Sequence, residues 1–151
     1  MHEIVVRALR EQRARIRARW EDLLRIQRTT SPLANPDTLV HLLDLTLDEL
    51  LASIEAAESR RRAPRHHAEI VCPCGRNPLL FYFSAGRQAV REALVLAQAA
   101  SPGLSPASRD AALAILDAAY GEIARREIEA FCGVCQLRET AGAQSAVTAA
   151  I

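Results

Sequence analysis

Lysine is absent from this 151-residue chain: all 19 basic residues are arginine. The arginines are spread along the chain. The absence therefore reads as a bias toward GC-rich codons rather than as a set of bidentate anion contacts. Aromatic residues are scarce, one Trp, two Tyr and three Phe, while Ala and Leu are abundant, which favours helix over strand. The net charge is only +1, so no strong pull toward nucleic acid or an anionic membrane is expected. No apolar run is long enough to cross a bilayer. Met1-His-Glu-Ile-Val-Val is followed at once by Arg7 and Arg10, so no apolar signal core is expected, and the expected compartment is the cytoplasm. A Gly-rich phosphate loop, a nucleophile elbow and a His-Glu-x-x-His zinc motif are all missing. No catalytic constellation stands out, and an enzyme is not the expected reading.

What is present has the make-up of a soluble domain. Half the residues are apolar and a quarter charged, and the length suits one domain with a real core. The expected fold class is all-α: an antiparallel bundle of four main helices with a four-cysteine metal site at one end. Residues 1–138 form the expected zinc-binding domain, and 139–151 a terminal tail or linker.

The first helical segment runs from about Glu3 to Arg28, with Val5, Leu9, Ile16, Trp20, Leu23 and Leu24 at helical spacing and a weaker stretch around Arg13. Its polar face is mostly arginine. Asn35-Pro36-Asp37 reads as an N-cap that starts a second helix reaching about Ser59, with Leu39, Leu42, Leu43, Thr46, Leu47, Leu50, Leu51 and Ile54 inward. The outer face carries Asp37, His41, Asp44, Asp48, Glu55 and Glu58. A basic helix beside an acidic one explains both charge patterns better than phosphate binding does. His41 with Asp44 and Asp48 could make a metal or acid–base row; a surface His near helix carboxylates is the favoured alternative.

Residues 60–68 are polar and basic and read as a connector, which leads into Cys72-Pro-Cys74-Gly-Arg. Asn77-Pro78 and Ser105-Pro106 repeat the cap signal and open the third and fourth helices, joined by a short Pro/Gly turn. These helices, about 23 and about 26 residues long, should pack antiparallel. The start of one then lies beside the end of the other, and those ends carry Cys72/Cys74 and Cys132/Cys135. In a reducing compartment, closely spaced cysteine pairs bind metal or do redox chemistry more often than they form structural disulfides. Four thiolates complete a tetrahedral shell, so the expected cofactor is a structural Zn²⁺ held by Cys72, Cys74, Cys132 and Cys135. An iron–sulfur cluster is the alternative cofactor. His66 or His67 could replace one sulfur.

Two resemblances bear on function. Trp20-Glu-Asp-Leu-Leu and Leu33-Ala-Asn-Pro-Asp-Thr-Leu-Val-His-Leu resemble the N-terminal helical sensor domains of RsbRD-type stressosome regulators and of some bacterial histidine kinases. This likeness covers the first two helices and implies a sensor or interaction domain. The order Cys-x-Cys then Cys-x-x-Cys is similar to the zinc redox switch of the Hsp33 chaperone, although 57 residues separate the pairs here. That resemblance implies a site able to release zinc on oxidation.

The expected function is thus a non-enzymatic sensor or regulatory domain, a homodimer with a signalling-protein partner, with no role in nucleic-acid or membrane binding. Apolar residues around Leu45, Leu47 and Leu51 are the expected interface. A thiol redox switch at Cys132 and Cys135 is the first alternative. The second is a small-ligand-binding protein or enzyme with its pocket near Tyr82, Gly86 and Tyr120.

Overall fold

A computed structural model describes residues 1–26, 31, 33–59, 72 and 75–135. The connector 60–68, Cys74, His66, His67 and the tail 139–151 lie outside the described residues. The chain is all-α, and no strand occurs among the described residues. In order the elements are α1 (His2–Glu11), α2 (Arg13–Ile26), α3 (Pro36–Leu39), a 3₁₀ turn (Val40–Leu42), α4 (Leu43–Ser59), α5 (Pro78–Ala99) and α6 (Pro106–Val134).

Each of the three cap signals makes its expected bond. Asn35 accepts from the Asp37 N–H, Asn77 from Leu79, and Ser105 from Ser108, each with proline at the first helical position. Those side chains satisfy N–H groups that have no partner inside the helix, and proline there loses no bond it would have made.

Two helices expected as continuous are interrupted. The first breaks at Gln12, whose φ of −95° and ψ of 6° leave the helical region. The cause is visible in the stripe: Val5, Val6, Ala8 and Leu9 are buried, then nothing is until Ile16. With no apolar anchor over that interval, the backbone adjusts and Arg13 reaches across to Asp44 and Asp48. The second is interrupted by the 3₁₀ turn. Leu39 and Leu43 keep the core on either side, while Leu42 stands at the edge of the stripe and is exposed.

The hydrogen-bond and ion-pair partners set the directions. From α5 to α6 the pairs run Asn77–Ile128, Phe83–Tyr120, Arg91–Asp117 and Gln98–Arg109, so the two helices are antiparallel along their length. Arg10 pairs with Glu55, Arg13 with Asp48 and Asp44, Arg17 with Asp44, and Arg25 with Asp37. The basic first segment therefore lies antiparallel to the acidic α3–α4 segment. These exposed pairs are screened by water and add little, so burial of the apolar stripes holds the helices together.

The centre of the core is aromatic. Trp20 is fully buried, stacks at 4.7 Å on Tyr82 and donates its indole N–H to the Tyr82 carbonyl at 3.0 Å. Tyr82 shares a 2.8 Å hydrogen bond with Thr46, and Tyr120 donates to the Phe83 carbonyl at 3.1 Å. The polar end of each buried aromatic is thus satisfied. Gly86 admits this cluster, because a methyl there would overlap Tyr120 Oη and the Trp20 ring. Among the described residues, no helix is long and apolar enough to cross a membrane.

Candidate metal centre

The candidate site lies where the chain enters α5 and leaves α6. Gly75, at φ +63°, turns the chain in the left-handed region that glycine reaches without strain, and its N–H bonds the Cys72 carbonyl at 3.0 Å. Ser31 donates to the Arg76 carbonyl at 2.6 Å, fixing this approach from the other side. Asn77 then caps α5 with its side-chain oxygen. Its amide nitrogen faces the end of α6, donating to the Ile128 carbonyl at 3.1 Å and to Cys132 Sγ at 3.3 Å. Asn77 is buried, and its one side chain caps α5, bonds the α6 backbone at Ile128 and touches a sulfur.

Cys132 Sγ lies 3.4 Å from Cys72 Sγ, across a sequence separation of 60 residues. Cys72 is buried and Cys132 half-buried. A disulfide would hold the sulfurs at about 2.05 Å. The edge of a tetrahedral zinc–thiolate shell, with bonds of about 2.3 Å, is about 3.8 Å. The observed spacing is far closer to the shell edge. The Asn77 N–H supplies the kind of hydrogen bond that steadies a metal-bound or ionised sulfur.

The remaining two expected ligands stand differently. Cys135 caps the end of α6 with extended backbone (φ −78°, ψ 113°) and is half-buried. Among the described residues, no group of three His, Cys, Asp or Glu side chains is arranged to hold a metal, so Cys135 does not join Cys72 and Cys132 there. Cys74 lies outside the described residues. The donor set suits zinc, and two of the four expected sulfur donors lie side by side.

The other candidate residues resolve into structure. Asp44 and Asp48 are engaged by Arg13 and Arg17, while His41 is exposed. The Arg13 hydrogen bond holds the Asp48 carboxyl below its ordinary range. Tyr82, Gly86 and Tyr120 are packed against Trp20 and leave no opening at Gly86. Burial pushes both phenols well above their ordinary range. Of the three residues expected at an interface, Leu47 and Leu51 are buried in the core, and Leu45 alone is exposed, at 69%. Phe131 is half-buried, because the last turns of α6 run past the main core.

Asn77, legible in the sequence only as a cap, is the further side chain placed against Cys132. Its position three residues after Cys74, at the first turn of a helix, was the available signal. No family model, curated protein or solved structure matches the chain.

Proposed function

We propose that the chain is a non-enzymatic sensor or regulatory domain whose helices are clamped by a structural Zn²⁺ on Cys72, Cys74, Cys132 and Cys135. The observation that carries this reading is the 3.4 Å approach of Cys72 Sγ to Cys132 Sγ, which brings one residue of each cysteine pair to the same end of the molecule. In this reading α1–α2, α3–α4, α5 and α6 are the four members of an antiparallel bundle, with the metal at the end where α5 begins. Cys135 completes the shell by rotation of the chain past Gly133, which is exposed and has open space around it. A closed shell of four sulfurs leaves no position for water or substrate, so zinc supplies cross-linking rather than hydrolysis. The RsbRD-type resemblance of the first two helices supports regulation through a protein partner, and the exposed Leu45 is what remains of the apolar surface expected at a homodimer interface. Nucleic-acid binding is disfavoured because Arg10, Arg13, Arg17, Arg19 and Arg25 are already paired with carboxylates.

Replacing Cys132 with serine tests the reading. Both metal content and melting temperature should fall, and a variant that changes neither overturns it.

A further inference from the structure

We infer that Cys72 and Cys132 form a dithiol–disulfide modification site, oxidised by hydroperoxides, that joins the entry of α5 to the end of α6 covalently. The inference rests on the proposed clamp only in using the same end of the molecule. It needs the two sulfurs, not the metal.

Three observations carry it. The sulfurs are already 3.4 Å apart, so bond formation requires a closing movement of little more than an ångström. They differ in access: Cys132 is half-buried, whereas Cys72 is only 7% exposed. Asn77 donates its side-chain N–H to Cys132 Sγ at 3.3 Å, which holds the more accessible sulfur at the entry of α5 beside Cys72. Among the described residues Cys135 makes no comparable sulfur contact. The helix-end pair Cys132/Cys135, which spacing alone suggests, is therefore the less prepared of the two.

The chemistry assigns each sulfur a role. Cys132 thiolate attacks a peroxide oxygen; the O–O bond breaks, and the released alkoxide or hydroxide takes a proton to leave as alcohol or water. Cys132 is then a sulfenic acid. Cys72 thiolate attacks that sulfur, the S–S bond forms, the S–O bond breaks, and hydroxide leaves as water after protonation. Two thiols have lost two electrons to one peroxide. A small dithiol reverses the step by thiol–disulfide exchange.

Tryptic peptides read the outcome directly, because Cys72 and Cys74 share the peptide 66–76 and Cys132 and Cys135 share 127–138. The full chain, as purified and after chelation, is treated with equimolar hydrogen peroxide, alkylated and mapped. The expected product is peptide 66–76 linked to 127–138. That product is lost in Cys72→Ser and in Cys132→Ser and retained in Cys74→Ser and in Cys135→Ser. A disulfide confined within 127–138, a link that needs Cys74 or Cys135, or reduced thiols after peroxide in the chelated protein each overturn the inference. Zinc content is measured on the same samples. The predicted link in a protein that never carried zinc sinks the clamp and leaves this site standing; a zinc protein without the link does the reverse.

Discussion

Asn77 donates its side-chain amide to the carbonyl of Ile128 at 3.1 Å, and so ties the first turn of α5 to the last turns of α6. The same side chain caps α5 and reaches Cys132 Sγ. Helix start, helix end and thiol are therefore mechanically one unit.

Replacing Asn77 with alanine should cost about 2 kcal/mol, from a lost N-cap and a lost hydrogen bond to the Ile128 carbonyl, which keeps its bond within α6. Urea unfolding measures it. Asn77→Asp keeps the cap acceptor but not the N–H donors, so it should recover only the capping part. If it fully restores stability, the bond to Ile128 contributes nothing.

Gly86 and Gly121 both sit inside helices, and they should respond oppositely to alanine. A methyl at Gly86 would sit closer than 3.0 Å to Tyr120 Oη and the Trp20 ring, distances that real contacts do not show. Neither ring can retreat from a packed core, so Gly86→Ala should destabilise by about 3 kcal/mol. At Gly121 the nearest neighbour is Arg87 Nη2 at 3.7 Å, an ordinary contact. There the better helix propensity of alanine should stabilise by about 0.5–1 kcal/mol. Equal effects at the two positions would contradict the packing described.

Much of this fold was legible in the sequence. The Asn35, Asn77 and Ser105 caps each precede proline, and that local chemistry locates the helix starts without tertiary help. The antiparallel α5–α6 pair followed from a short turn between two long helices. The break at Gln12 was not legible as a break, since Arg13 is held by carboxylates from a distant helix. Leu47 and Leu51 read as an interface because an apolar stripe does not say which neighbour covers it. At the candidate site the sequence placed Cys72 beside Cys132, but helical spacing could not foresee that the backbone turns extended at Cys135.

Burial raises both tyrosine pKa values, which links the core to alkaline pH. A phenol whose folded pKa lies above its unfolded one binds its proton more tightly when folded. The stabilisation is complete below the unfolded value, near ~10, and falls as pH rises above it. Phenolate absorbance should therefore stay low above pH ~10 and rise together with loss of the helical signal. A smooth titration near pH ~10 with the helices intact would show that the two hydroxyls are not buried.

The central claim is that the two cysteine pairs share one zinc ion. Zinc K-edge X-ray absorption on the purified, reduced protein tests it most directly. One zinc per chain with four sulfur neighbours at about 2.3 Å is expected. A protein without zinc, or a zinc whose shell is mainly oxygen and nitrogen, would contradict it.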